Sequence, residues 1–259
     1  MASDLKNHRT NLCAAAGAAL ALCLIGGVSH AGLVPNYIRQ AVAEPTRPDR
    51  DRQRDAERKP EQVIAFAGIK PGDKVGELMP GGGYFTRIFC RVVGDSGRVY
   101  AFGVTPVIKR ERPPSPDAQQ VTPNPCTNVT ADSKPAAEFS LPSGLDVVWT
   151  SENYHDLHNP MFGTPDMRAF DRAIFNALKP GGVFIVEDHA AEAGSGARDT
   201  ATLHRIDAKL VRQEVTSVGF VLVAASDVLH NPDDPHTAKV FELKGKTDKF
   251  LLKFRKPKR

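Results

Sequence analysis

A glycine-rich run at residues 80–83 is the part of the chain whose composition most directly suggests ligand chemistry. An apolar, strand-like approach leads to the acidic residue Glu77 before this run, and a segment with the pattern of a helix start follows it. Glycine has no Cβ, so the chain can turn sharply and bring backbone N–H groups close to a ligand. A tight turn is the simpler interpretation, but three consecutive glycines exceed what a turn requires. The run therefore predicts a loop that holds a nucleotide-like ligand at the end of a first parallel strand.

Four polar residues after the fourth predicted strand are the candidates for acid–base chemistry: Asn153, Tyr154, His155 and Asp156. The carboxyl end of a central strand places such side chains beside a ligand bound to this type of sheet. His155 can act as a general base, with Asp156 orienting its imidazole. A polar loop that caps the next helix explains the same residues equally well, so both interpretations stand at this point.

A second group of titratable residues, Glu187, Asp188 and His189, follows the fifth predicted strand. Together with His155 and Asp156, it offers nitrogen and oxygen ligands for a divalent metal. The spacing is not diagnostic of a metal site, and a solvated strand end is the favoured interpretation. We therefore predict no metal ligands.

Two further polar runs have both a functional and a structural interpretation. Residues 204–207 open a predicted helix, where Arg205 either meets an anionic substrate group or lies on the surface. Residues 230–236 form either a substrate lid or a plain connection to the last strand.

Strands alternate with helices along most of the chain, which is typical of a sheet of mainly parallel strands with helices on both faces. Apolar runs bounded by turn residues predict strands at Lys74–Leu78, Arg98–Phe102, Asn128–Thr130, Leu145–Thr150, Val183–Val186, Phe220–Ala224 and Phe250–Phe254. Apolar periodicity predicts helices at Glu61–Ala67, Thr86–Val93, Met167–Leu178 and His204–Val218. The proline-rich stretch 105–125 predicts a loop or lid. The fold class is therefore α/β, a doubly wound, Rossmann-like sheet.

The first 31 residues have the three parts of a secretory signal peptide. A basic start, an apolar run at residues 12–28 and small residues at positions 29 and 31 fit cleavage after Ala31. This predicts a periplasmic or secreted protein with no stable membrane span after cleavage. The alternative is an uncleaved inner-membrane anchor, because the apolar run is close to the shortest length that spans a bilayer.

Residues 32–60 are expected to form a separate N-terminal segment ahead of a globular domain at residues 61–259. The segment is expected to be extended as far as residue 46. Beyond that point, Arg alternates with Asp and Glu, which is typical of a solvated helix face.

Composition and cysteines narrow the range of partners and compartments. The net charge is only +4, and no basic patch with interleaved aromatic residues occurs, so a nucleic-acid partner is excluded. Two of the four cysteines lie in the leader, and Cys90 and Cys126 remain. Export permits a disulfide between them, but two separate thiols, with Cys90 buried on a helix, are the favoured interpretation.

In several runs the chain resembles class I S-adenosylmethionine-dependent methyltransferases, and within them an exported bacterial group described as predicted methyltransferases. The runs that carry this resemblance are residues 78–86, 153–156, 204–207 and 245–250, together with the Leu-Lys-Pro-Gly-Gly turn at 178–182. The resemblance extends over roughly the whole chain after the leader. It implies a seven-stranded sheet whose last strand is antiparallel, with the cofactor lying over the ends of strands one, two and four.

The resemblance also implies which residues bind S-adenosylmethionine. Glu77 takes the acidic position of the first motif, and Gly81 and Gly83 approach the methionine part of the cofactor. The predicted cofactor site comprises Glu77, Pro80, Gly81, Gly82, Gly83 and Phe102. Two positions depart from the family pattern: Met79 replaces its usual first glycine, and Gly103 stands where an acidic residue usually holds the ribose.

The predicted function is S-adenosylmethionine-dependent methyl transfer to an unknown small-molecule or envelope-associated acceptor. Asn153, Tyr154, His155 and Asp156 are the predicted catalytic residues. The alternative is a non-catalytic protein that binds a small ligand on a methyltransferase fold, which the two departures and the export signal favour. A nicotinamide-dependent oxidoreductase is disfavoured, since Thr86 stands where the third glycine of its fingerprint would be.

Overall fold

A computed structural model describes residues 33–108 and 126–258 of the chain. The predicted signal peptide and most of the predicted lid, residues 109–125, lie outside the described residues. In the described part, seven strands form one sheet: β1 Lys74–Leu78, β2 Arg98–Val104, β3 Val129–Lys134, β4 Leu145–Ser151, β5 Leu178–His189, β6 Val221–Ser226 and β7 Lys249–Arg255. The α-helices are α1 Asn36–Val42, α2 Asp49–Arg52, α3 Asp55–Arg58, α4 Pro60–Ala67, α5 Tyr84–Val93, α6 Met167–Ala177 and α7 Ala208–Ser217.

The strand order is β3-β2-β1-β4-β5-β7-β6. β1 to β5 pair in parallel, whereas β7 is antiparallel to both β5 and β6. This confirms the predicted seven-stranded, mainly parallel sheet with an antiparallel last strand. The order reverses between β1 and β4, and a sheet of this type opens a crevice at the carboxyl ends of its strands at such a switch point.

Two apolar clusters form the core, and each contains side chains from one face of the sheet. The first packs Trp149 of β4 against α1, α4 and α5, and the second packs Phe184 of β5 against α6 and α7. Both side chains are fully buried. Alternate residues of these strands therefore serve opposite layers, as expected for strands buried on both faces.

The N-terminal segment corrects two expectations. Residues 36–42, expected to be extended, form α1, whose Ile38 is fully buried. The charged stretch after residue 46, expected to be solvated, contains the buried side chains Arg47, Asp51 and Arg58. Asp51 makes a double ion pair with Arg87 of α5, and Arg47 pairs with Asp55. These charges are buried because each meets an opposite charge, which the alternating pattern alone does not reveal.

Two further boundaries differ from the expectation in ways that matter for the site. β5 extends to His189, beyond the predicted end at Val186, so Glu187 and Asp188 belong to a buried strand. α7 begins at Ala208, because Asp207 caps it by accepting a hydrogen bond from the Lys209 N–H. Residues 204–207 are therefore free of helical geometry.

Cys90 of α5 and Cys126, just ahead of β3, form a disulfide. The interpretation as two separate thiols is wrong. The bond links the helix that follows the glycine-rich loop to the strand at the end of the sheet. Within residues 33–108 and 126–258, no helix has the length and apolar content that a membrane span needs.

Candidate functional site

A cavity of about 970 Å³ opens at the carboxyl ends of the strands around the switch point. Its volume lies within the range of small-molecule and cofactor sites. Its walls come from the glycine-rich loop, the ends of β1 to β4, the loop after β4, and helices α2 and α3. The lining residues include Arg50, Arg54, Arg58, Glu77, Met79, Pro80, Gly81, Gly82, Gly103, Asp132, Glu152, Asn153, Asp156 and Phe241.

The glycine-rich loop forms one wall and turns through left-handed backbone conformations. Met79, Gly81 and Gly83 have φ of +48°, +52° and +79°. The Gly83 N–H donates to the Pro80 carbonyl at 2.9 Å, and α5 starts immediately afterwards. A Cβ built on Gly81 meets no atom within 4 Å, so the loop leaves open space there. Met79 adopts the backbone that a glycine would take, so the loop geometry does not need a glycine at that position.

Glu77 lies at the base of this loop and is 2% exposed. Its carboxylate accepts a hydrogen bond of 2.5 Å from the Thr86 hydroxyl of α5. Burial raises the pKa of Glu77 to about 7, against the smaller opposing effects of Thr86 and Arg87. A cation in the cavity would favour the ionised form, because it would replace the solvation that burial removes.

Asn153 joins the loop after β4 to the glycine-rich loop. Its amide donates to the Met79 carbonyl at 2.8 Å, and its side-chain oxygen accepts from the Thr150 hydroxyl. Asn153 also lines the cavity. It therefore braces the two loops against each other while part of it faces the ligand space.

His155 is 2% exposed and is held by Asp188 of β5. One Asp188 oxygen lies 2.8 Å from His155 Nδ1, and the other accepts the His155 backbone N–H at 2.8 Å. Burial lowers the pKa of His155, but the Asp188 charge outweighs it and the net shift is upward. The residue expected to orient the ring, Asp156, lies instead on the opposite side, with Oδ1 3.5 Å from Nε2. The expected His–Asp pairing is thus corrected: Asp188 orients His155.

His204 joins this corner from the connection between β5 and α7. Its Nδ1 lies 3.3 Å from His155 Nε2 and 3.8 Å from Asp156 Oδ1. Its φ of +56° is uncommon for a residue with a Cβ. Among the residues the structure describes, these three form a group whose potential metal-ligand atoms all lie within 4.8 Å of one another. His204 was expected in a helix, and nothing in the local sequence signals its approach to His155.

Four predicted site residues do not line the cavity: Gly83, Phe102, Tyr154 and His155. Tyr154 is fully buried in the second apolar cluster, and its hydroxyl bonds to Asp171 and Glu214 at 3.0 and 3.1 Å. Phe102 packs edge-to-face on Phe139, and only its carbonyl reaches the site by accepting the Met79 N–H at 2.7 Å. Gly83 caps α5 at the back of the loop.

A charge cluster at the wall of the cavity, in which Arg58 and Glu152 line the space, was not predicted. Glu152 pairs with Arg58 of α3 and with Lys249 of β7, the latter at 2.6 Å, and Lys249 lies 3.8 Å from Glu187. Burial opposes ionisation of Glu152, but Arg58 and Lys249 hold its pKa well below the usual range. Burial raises the pKa of Glu187 to about 7.

The expectation of a solvated strand end at residues 187–189 is therefore wrong. Glu187 and Asp188 are fully buried, and His189 is 9% exposed. Burial lowers the pKa of His189 to about 4, and its Nδ1 lies 2.8 Å from the Thr247 hydroxyl. The polar composition of residues 187–189 suggested that they are solvated. They are buried because their hydrogen-bond and ion-pair partners come from distant parts of the chain.

At the end of β2, a side chain in place of Gly103, such as the acidic residue of the family pattern, would require the Ser133 side chain to move. A Cβ on Gly103 would lie 2.7 Å from the Ser133 hydroxyl. The neighbouring strand places Asp132 on the cavity wall beside it. A carboxylate is thus available at this edge of the site from β3.

Comparison with known proteins locates the similarity in the fold. No protein-family model matches the chain, and no curated protein matches it. A SAM-dependent methyltransferase from Aquifex aeolicus aligns over 80% of this chain and 97% of its own, with a TM-score of 0.55 and 18% identity. A putative sarcosine dimethylglycine methyltransferase from Galdieria sulphuraria aligns over 81% and 88%, with a TM-score of 0.54 and 17% identity.

The [4+2]-cyclase SpnF matches equally well, over 79% of this chain and 82% of its own, with a TM-score of 0.54 and 18% identity. At these identities the matches establish the fold, which is that of class I S-adenosylmethionine-dependent methyltransferases. The finer resemblance to an exported bacterial group finds no support in them. Because proteins named for different reactions share the fold, the function has to be argued from the site.

Proposed function

We propose that this chain is an S-adenosylmethionine-dependent methyltransferase. The observation that carries the proposal is the glycine-rich loop, which turns through left-handed conformations and opens on a cavity of about 970 Å³ beside the buried carboxyl of Glu77. The loop stands at the end of the first strand of a methyltransferase-like sheet. The open space over Gly81 and the carboxyl of Glu77 fit a cationic, nucleotide-like group.

The proposed cofactor contacts follow the cavity wall. Pro80, Gly81 and Gly82 present backbone, and Glu77 supplies negative charge. Gly103 supplies no carboxylate to hold the ribose. Asp132 of β3 supplies one instead and accepts hydrogen bonds from the ribose hydroxyls. Phe102 supports the loop through its carbonyl, and Gly83 through the start of α5.

S-adenosylmethionine supplies an electrophilic methyl group: the acceptor forms a bond to the methyl carbon, and the electron pair of the broken S–C bond stays on sulfur. The chain must therefore position an acceptor and exclude water more than react itself. Asn153 and Asp156 line the cavity, and His155 lies directly behind Asp156. We assign these three residues to the acceptor side. Tyr154 supports them through its buried hydrogen bonds.

We also propose that the protein acts in the periplasm or is secreted. The disulfide between Cys90 and Cys126 supports this location, because disulfides persist in oxidising compartments. Mass spectrometry of the protein from envelope fractions, alkylated without reductant, is expected to find a chain that begins at Gly32 with both cysteines unlabelled. A chain recovered only from the cytosol with labelled thiols would contradict the proposal.

Isothermal titration with S-adenosylhomocysteine tests the cofactor assignment. Binding is expected to the natural protein and to weaken at least about 100-fold in Gly81→Val, because the valine side chain occupies the space where a ligand must approach the backbone. Gly144→Val is the matched control, since Gly144 also has a positive φ and no atom within 4 Å of a Cβ. A folded protein that binds neither S-adenosylhomocysteine nor S-adenosylmethionine would favour the non-catalytic alternative.

A further inference from the structure

We propose that His155, Asp156 and His204 form a binding site for a divalent transition-metal ion. Their ligand atoms, Nε2, Oδ1 and Nδ1, form a triangle with sides of 3.3, 3.5 and 3.8 Å. A point equidistant from the three atoms lies about 2.1 Å from each, which matches the zinc–nitrogen bond length of about 2.0–2.1 Å. The spacing of the three ligand atoms thus matches an ion of that size.

Asp188 prepares His155 for this role. Its carboxylate accepts three N–H groups: the His155 backbone N–H, the His189 backbone N–H and the His155 ring at Nδ1. An ionised carboxylate in that position fixes the proton of neutral imidazole on Nδ1. The lone pair of Nε2 then points toward Asp156 and His204. A carboxylate that holds the outer nitrogen of a ligating histidine is the usual second layer of a zinc site.

The other two ligands are held by separate parts of the fold. Asp156 follows His155 in the 3₁₀ turn His155–His158, directly after β4. His204 arrives from the connection after β5 with a left-handed backbone, and Phe241 packs against its ring at 4.8 Å. Backbone strain of this kind persists where the surroundings hold it in place, often at functional sites. The geometry is therefore imposed by the fold rather than by one flexible loop.

The ligand set indicates the class of ion. Two imidazoles and one carboxylate suit zinc, iron and related first-row ions, whereas magnesium and calcium prefer oxygen ligands throughout. The competing occupant of the triangle is a proton, since an imidazole-to-imidazole hydrogen bond at 3.3 Å joins the same two rings. Stoichiometric metal binding distinguishes the two occupants.

The site faces the cavity, because Asp156 and Phe241 both line it. An ion held there would have an open position toward the acceptor space and would coordinate an oxygen or nitrogen of the acceptor, lowering the pKa of that group. The acceptor class that fits is a small molecule with a metal-binding hydroxyl, carboxylate or amine. This acceptor role rests on the proposed function, whereas metal binding itself does not.

The test is a zinc titration of the purified protein, carrying no histidine tag, after chelator treatment and in competition with a chromophoric chelator. One ion per chain is expected. His204→Gln and Asp156→Asn each remove a metal ligand, and each is expected to weaken zinc binding more than about 100-fold. Asp188→Asn removes only the partner of a ligand and is expected to weaken zinc binding about 10–100-fold. His158→Gln is the matched control, because His158 also pairs with a carboxylate, that of Glu214, outside the cluster. Cobalt substitution is expected to give visible absorption bands that His204→Gln loses.

Two results would overturn the proposal. A natural protein that is folded by circular dichroism and binds no zinc would show that protons alone hold the triangle together. Zinc binding that is unchanged in both His204→Gln and Asp156→Asn would place the ion elsewhere. Because the titration contains no cofactor, its failure leaves methyl transfer standing, and a failure to bind S-adenosylhomocysteine leaves the metal site standing.

Discussion

The two ends of the cavity are built from different materials. At the β1 end, called the backbone end below, the glycine-rich loop presents backbone, and the buried carboxyl of Glu77 lies at its base. At the β4 and β5 end, called the side-chain end below, titratable side chains from distant positions of the chain contact one another. His155, for example, contacts both Asp188 and His204. The geometry of the backbone end follows from one local glycine-rich run, residues 80–83. The geometry of the side-chain end depends on individual side chains. We therefore expect the reactivity of this site to be determined at that end.

The sharpest test of this contrast is a pair of variants, one at each end, each of which is expected to weaken the binding of only one of two ligands. Gly81→Val is expected to weaken S-adenosylhomocysteine binding at least about 100-fold while zinc affinity stays unchanged, and His204→Gln is expected to do the reverse. Both affinities can be measured by titration on the same preparations. If either variant affected both ligands equally, the two ends would form one coupled site and the contrast would fail.

The charge cluster of Arg58, Glu152, Glu187 and Lys249 is expected to be the next most sensitive feature. Lys249→Met leaves Glu152 and Glu187 buried with one cation fewer, so the free energy of unfolding should fall by about 3–5 kcal/mol. Lys253→Met on the same strand is the control, because Lys253 donates to the Phe66 carbonyl, lies over the Phe66 ring and pairs with no carboxylate among the described residues. This variant should lose about 1 kcal/mol. Urea denaturation at pH 7.5 measures both. Equal losses would mean that the cluster contributes no more than an ordinary hydrogen bond.

At the backbone end, the buried carboxyl of Glu77 couples stability to pH. Its pKa is about 7 in the fold and about 4.3 when unfolded. Folding therefore favours the protonated form, and the stability it contributes at low pH is lost as pH rises from about 4.3 to 7. Glu77→Gln abolishes this loss. Relative to the natural protein, the variant should gain about 2–3 kcal/mol between pH 5 and pH 8.

The same variant is expected to bind S-adenosylmethionine more weakly, because it lacks the negative charge. Unfolding measured at both pH values, with titration at pH 8, tests the two expectations together. A stability difference that does not change with pH would show that Glu77 is ionised throughout.

The smallest effect is expected at Met79, where the backbone is left-handed. Met79→Gly relieves that strain but loses side-chain packing and raises the entropy of the unfolded chain. Thermal unfolding should show a net change within about 1 kcal/mol, with cofactor affinity preserved. A large loss of affinity in this variant would mean that the Met79 side chain itself contacts the ligand.

The backbone end was predictable from sequence, whereas most of the side-chain end was not. Three glycines after a strand specify a loop by local conformational preference, so the sequence alone is enough to place Gly81 and Gly82 in it. His204 reaches His155 across 49 positions of the chain, and Arg58 reaches Glu152 across 94. Such pairs depend on how the connections fold, and local pattern does not encode that. A charged run such as residues 49–58 has the composition of a solvated surface whether or not the fold brings oppositely charged side chains next to it.

Helices α2 and α3 form one wall of the cavity from a single short stretch of the chain. Residues 49–58 contribute Arg50, Arg54 and Arg58 to one wall of the cavity, while the glycine-rich loop belongs to a different part of the chain. This stretch is held at three points by other parts of the chain, since Asp51 pairs with Arg87, Asp55 with Arg47 and Arg58 with Glu152. An exchange of residues 49–58 that keeps these three ion pairs would change the charge and shape of this wall and leave the glycine-rich loop in place.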